Sequence, residues 1–259
     1  MPAAGARDVG VGAAAGVVSG LFGVGGGIVL VPYLVLVRGW GQKQAQATSL
    51  VMVAMAATAG LVQYALVGDV VWAAAAAVLV GGLIGAMIGS ALVTRLQTWV
   101  LQVGFSLLLI SAAVRMVTAP VPDAGGTLPG LTPGIALAYV VSGVAMGVLS
   151  ALFGIGGGIL LVPLLVTAFG YDLRLAAGTS LAVMGLIALV GAVRQSREGS
   201  TDWRAGALLG LGGMVGGLVG AALALRLSLV VLTWLFAALL VYTAVRLARA
   251  GWRARPSRT

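Results

Sequence analysis

Gly25-Gly26-Gly27 and Gly156-Gly157-Gly158 are two runs of three glycines set inside long apolar stretches. A proline follows five residues after each run (Pro32, Pro163), and a Thr-Ser pair follows twenty-one residues after it (Thr48-Ser49, Thr179-Ser180). A glycine in a helix costs up to ~1 kcal/mol relative to alanine, so three together break one helix and begin another. The N–H groups at a fresh helix start have no intrahelical partner, and with the helix dipole they can hold an anion. Threonine and serine hydroxyls would add neutral donors, which suit a dianion that must also leave. Plainer uses exist for the same residues. Glycine lets membrane helices pack closely, and Thr or Ser can cap a helix or bond a backbone carbonyl.

Other chemistries lack their residues. Cysteine and histidine are absent, which excludes disulfides, thiolate and imidazole metal sites, haem ligation and the common Cys/His catalytic pairs. The only acids are Asp8, Asp69, Asp123, Asp172, Glu198 and Asp202, all outside or at the edges of the apolar runs. No general base can therefore be named, and no intramembrane carboxylate stands ready to carry a proton. Neither glycine run is followed by the Lys-Ser/Thr of a phosphate loop or by the acidic residue of a dinucleotide site. The expectation is a protein that is not an enzyme and uses no metal and no cofactor.

The elements that position these residues lie in a bilayer. Of 259 residues, 61% are hydrophobic and 8% charged, whereas soluble domains carry about 25% charged residues. Apolar segments cover about 9–37, 45–66, 70–94, 98–118, 134–168, 174–193, 203–225 and 229–249. The net charge of +9 gathers at the ends of these runs and in the tail, which fits cytoplasmic anchoring to anionic headgroups rather than nucleic acid. The N-terminus makes a poor signal peptide and is read as part of the mature chain.

The chain is written twice. At an offset of 131, 13 of 18 residues are identical between Val18–Val35 and Leu149–Val166. The same offset aligns both Thr-Ser pairs, Trp72 with Trp203, and Gly81, Gly85 and Gly89 with Gly212, Gly216 and Gly220. The units are a first transmembrane repeat over 1–118, a linker and start of the second repeat over 119–138, the second repeat over 139–249, and a basic cytoplasmic tail over 250–259. In each half the first segment is too long for one ordinary span. Its two flanks, of about 10–13 residues, reach about 15–20 Å each, half a bilayer. A re-entrant hairpin with its tip near the midplane fits, Pro32 and Pro163 shaping the return leg, and the Thr-Ser pair opening the next helix. Three crossings per half then invert the second copy and place 12 basic residues on one side against 3, where four crossings give 10 against 5. The expected fold is an all-α polytopic membrane protein of two inverted repeats, each a glycine-rich re-entrant or broken helix hairpin plus three transmembrane helices. Both termini are cytoplasmic.

The doubled "SGLFGVGGGIVLVP"/"SALFGIGGGILLVP", with "ATSL"/"GTSL" and a Trp before a GG-x-x-G helix, resembles the sulfite exporter TauE/SafE family of bacterial membrane permeases. The resemblance implies an inner-membrane exporter of small sulfur oxyanions such as sulfite, or of organosulfonates such as sulfoacetate. The alternatives are a permease for another small organic anion and a non-transporting membrane scaffold. The expected binding residues are Gly25, Gly26, Gly27, Thr48, Ser49, Gly156, Gly157, Gly158, Thr179 and Ser180. Gln63 aligns with Arg194 near the end of the second helix of each half, and either is a headgroup anchor or an anion-contacting gate. Partners are a small anionic solute and membrane lipid, with no nucleic acid and an oligomeric state left open.

Overall fold

The computed structural model describes residues 2–92, 98–118, 132–153, 157–197 and 199–253. Gly156, the linker 119–131 and the end of the tail lie outside the described residues. Those described form helices and no strand: α1 Pro2–Phe22, α2 Gly27–Leu36, α3 Gln42–Leu66, α4 Trp72–Leu92, α5 Thr98–Thr118, α6 Pro133–Phe153, α7 Gly158–Phe169, α8 Leu173–Arg197, α9 Trp203–Arg226 and α10 Leu229–Arg253. Six stretches among them are long and apolar enough to cross a membrane, in α3, α4, α6, α8, α9 and α10. The molecule is a multi-pass, all-helical membrane protein.

Glycine sets which helices lie together. A methyl group on Gly212, Gly216 or Gly220 of α9 would overlap the carbonyl oxygen of Val9, Ala13 or Val17 of α1. The pairs ascend together, so α1 and α9 run parallel with backbones in contact, as small residues allow in lipid. The glycines at 81 and 85 of α4 meet Val140 and Val144 of α6 in the same manner. Each half thus lends its glycine stripe to the other half's first helix. The central helices α3 and α8 also pair across the halves: Gly191 meets Leu50, Gly185 meets Ala57, Gly60 meets Leu181 and Gly178 meets Tyr64. One number falls as the other rises, so these two equivalent helices are antiparallel.

The first segment of each half folds back on itself. Past the end of α2, Arg38 Nη1 donates to Asp8 Oδ1 at 2.9 Å near the start of α1. In the second half Tyr139 stacks on Phe169 at 4.4 Å between ring centroids, and its hydroxyl lies 2.8 Å from that of Tyr171. The legs differ from the equal halves expected. Helix α1 has 21 residues and begins at Pro2, whereas α2 has 10. Packing on α9 extends α1 through a glycine- and alanine-rich start that hydropathy alone discounts. The second helix also begins early: Gly41 caps α3 and α8 starts at Leu173, so Thr48 and Thr179 stand in the second turn and do not open their helices. Pro32 and Pro163 lie inside α2 and α7.

Candidate functional site

After α1 ends at Phe22, Gly23, Gly25 and Gly26 take φ of 70°, 82° and 68°, the left-handed region that glycine enters without a Cβ penalty. The turn drops the chain back along α1 until Gly26 lies against the Ala15 carbonyl. Ala15 neighbours Gly16, which meets Gly213 close to the middle of α9. The N-terminus of α2 therefore opens at mid-bundle, while the tip of the turn reaches beyond it. Helix α7 opens beside it, since a Cβ on Gly158 would come within 2.6 Å of the Gly23 carbonyl oxygen. The start of α7 thus lies against the first glycine break. No side chain caps either α2 or α7; the N–H groups of Gly27, Val29 and Leu30 donate to the carbonyls of Gly25 and Gly26, and those of Leu160 and Leu161 to Gly157.

A cavity of about 220 Å³ lies beside this junction, with Gly27 and Gly157 in its wall. Ser49, Gln46, Ser150 and Gln195 supply its polar groups, and Met184 and Val24 part of its apolar surface. Gln46 lies near the start of α3 and Gln195 near the end of α8, and the antiparallel pairing brings those ends together. Both glutamines are partly exposed, and Ser49 and Gly157 lie deeper. Among the described residues no charged side chain lines the cavity. Exposed Lys43, Arg194, Arg197 and Arg204 stand around the same end of the bundle, where they raise the local concentration of anions without binding them in the cavity. A second, larger space of about 600 Å³ is bounded by apolar groups such as Met55, Leu186, Leu189 and Met214. Its one hydroxyl, Thr58, donates to the Ala54 carbonyl, and Trp72 is the other lining residue with a polar side-chain group.

The four hydroxyls make distinct bonds. Thr48 Oγ1 accepts from the Asp202 N–H at 3.1 Å and Thr179 Oγ1 accepts from the Val71 N–H at 3.0 Å. Each threonine thus fastens the start of a helix in the opposite half, α9 or α4. Ser180 Oγ donates to the Gly23 carbonyl at 2.7 Å, and Ser49 Oγ to the Gln46 carbonyl of its own helix at 2.8 Å. Of the residues singled out in the sequence, Gly27, Ser49 and Gly157 come together at the cavity. Gly25, Gly26 and Gly158 form the breaks behind it. Gln63 is partly buried and Arg194 is exposed, and neither lines the cavity. Sequence reasoning missed Gln46, Ser150 and Gln195. Only the i, i+3 spacing of Gln46 and Ser49 could have signalled a shared face.

At the other end of the bundle Asp172 caps α8, accepting from the N–H groups of Arg174 and Leu175. Arg174 in turn donates to the carbonyls of Ala224 and Leu227 that end α9. Asp69, between α3 and α4, has its carboxyl pKa raised above the ordinary value, first by burial and then by Asp172, with Arg174 opposing. Among the described residues no cluster of acids could hold a metal ion.

Two glycine-broken helix pairs meeting inside a bundle of apolar spans, with a polar cavity at the junction, form the architecture of a multi-pass membrane carrier. Residues 2–116 and 139–259 match the sulfite exporter TauE/SafE family, and the chain belongs to that family of membrane transporters. A probable membrane transporter protein of Xylella fastidiosa is 32% identical over 225 residues, covering 85% of this chain and 85% of its own. The probable membrane transporter protein YunE of Bacillus subtilis is 30% identical over 240 residues, covering 82% and 86%. No solved structure matches the chain.

Proposed function

We propose that the protein is an inner-membrane permease that exports a small sulfur oxyanion, sulfite or a short organosulfonate, through the cavity beside the two glycine breaks. The observation that carries this reading is the convergence of two uncapped helix N-termini, α2 and α7, on a cavity walled by Gly27, Gly157 and Ser49. Their dipoles favour negative charge. The neutral lining lets the anion leave, whereas a buried arginine would hold a dianion. Size agrees: at about 30 Å³ per water, 220 Å³ holds a sulfite or a two-carbon sulfonate with a few waters. The name of the family supports sulfur oxyanions as the cargo.

The two halves are inverted across the membrane in this reading, with both termini cytoplasmic. The antiparallel α3/α8 pair and the return of Arg38 to Asp8 support it. Export is uniport. An anion leaving a cell with a negative interior gains about 2.3 kcal/mol per charge per 100 mV, so no coupling carboxylate is needed. Gly157→Ala tests the site. Gly157 has an ordinary φ of −70°, and the added methyl group would come within 2.6 Å of Met146 Cγ, so that buried side chain must shift to admit it. The variant should insert normally and lose at least ten-fold in oxyanion flux from proteoliposomes. Wild-type flux would remove the cavity from the transport path.

A further inference from the structure

We propose that a second solute chamber, the mate of the first under the 131-residue correspondence, is built into the opposite end of the molecule and is shut in this structure by the hydroxyls of Tyr64 and Ser180. The correspondence takes the cavity residues Ser49, Ser150 and Gln195 to Ser180, Ser19 and Tyr64, and Gly27 and Gly157 to Gly158 and Gly26. These mates stand where a chamber would be, between α1, α3 and α8, but they are closed on one another. Ser180 Oγ donates to the Gly23 carbonyl at 2.7 Å, and Tyr64 Oη donates to the Gly20 carbonyl at 2.9 Å. Both bonds pin the first glycine break across the place the chamber would occupy. At the open cavity Ser49 donates to the Gln46 carbonyl of its own helix, and Gln195 lines free space.

Ser19 is the independent sign that this end is built to open. Its side chain is fully buried, and its Oγ has no hydrogen-bond partner, a condition native interiors rarely accept. Its mate Ser150 lies partly exposed on the wall of the open cavity. A hydroxyl stranded in one state and wetted in the other is what a chamber that opens in turn requires. The first glycine break, held here through Ser180 and Tyr64, supplies the bistability, because it can be pinned or released. The threonine bonds Thr48–Asp202 and Thr179–Val71 are the same at both ends and act as fixed pivots. Opened, the second chamber presents the neutral donors of Ser19, Ser180 and Tyr64. That set suits the small oxyanion of the proposed permease, and this choice of solute rests on that reading.

The test uses the absence of native cysteine. Single Ser150→Cys and Ser19→Cys chains in oriented proteoliposomes are exposed to a membrane-impermeant methanethiosulfonate from either side. Ser150→Cys should react from the side of the α3 start, and Ser19→Cys at least ten-fold more slowly from both sides. Adding Tyr64→Phe should raise Ser19→Cys labelling from the α4-start side at least five-fold and slow that of Ser150→Cys. Ser180→Ala, which frees the Gly23 carbonyl by another route, should act in the same direction. Unchanged labelling of Ser19→Cys in both variants, or a parallel rise at both positions, would overturn the proposal. The readout needs no flux. Reciprocal labelling in a protein that moves no oxyanion would uphold the chamber while sinking the permease.

Discussion

Ser49 and Ser180 are the same residue at the same place in two copies of one unit, yet one bonds Gln46 on its own helix and the other bonds Gly23 across the molecule. Only the Ser180 hydroxyl takes a carbonyl that a glycine break presents. Beside Ser49 lies the cavity, whose polar surface includes Gln195. Gln195→Glu is the sharpest single change there, because it keeps the size and adds a charge. At about 5 Å and an effective dielectric near 20, a carboxylate opposes a monoanion by roughly 3 kcal/mol. Anion flux should fall about 100-fold with insertion unchanged, measured as initial efflux from proteoliposomes. The glycines and Ser49 were legible in the sequence because their spacing repeats. Gln195 was not, since its mate in the other half is Tyr64 and nothing in the chain says that the end of α8 lies beside the start of α3.

At the level of elements, the two hairpins close by different chemistry at equivalent positions. Asp8 and Arg38 correspond to Tyr139 and Phe169 at the 131-residue offset. The first pair is an ion pair, with the guanidinium also 5.5 Å from the Trp40 ring centroid; the second is a stacked aromatic pair. Asp8 is nearly fully buried, its side chain 5% exposed, so removing its partner strands a carboxylate. Arg38→Met should cost about 2 kcal/mol, in the range for a charged hydrogen bond. Its thermal midpoint in detergent should fall by several degrees, and the swap Asp8→Arg with Arg38→Asp should regain part of the loss. An unchanged midpoint would show that packing of α2 alone closes the hairpin. The helix break itself was readable, because three glycines in an apolar run leave few other outcomes. The length of α1 was not, because Pro2–Phe22 is held by backbone contact with α9 rather than by hydrophobicity. Nor was the register of the Thr-Ser pairs, whose threonines each fasten a helix of the other half.

For the whole molecule, duplication dictates the architecture. Each half's glycine stripe receives the other half's first helix, and the equivalent helices α3 and α8 run antiparallel. Neither half can bury its close-contact surfaces alone. The inverted orientation proposed above makes a direct prediction for two sites free of packing. Gly41 has open space around it and an ordinary φ of −61°, and Val67 is 56% exposed at the end of α3. A cysteine at 41 should label from the cytoplasm and one at 67 from outside. Labelling of 41 from outside and 67 from the cytoplasm, as four crossings per half require, would contradict three. The central claim, that an oxyanion passes through the molecule down the membrane potential, is met most directly by efflux. Purified protein in proteoliposomes loaded with labelled sulfite, with an imposed interior-negative potential, should release it at a rate that rises with the potential and falls when competing sulfonates are added. Folded, inserted protein that releases neither sulfite nor any sulfonate above the protein-free rate would contradict the account.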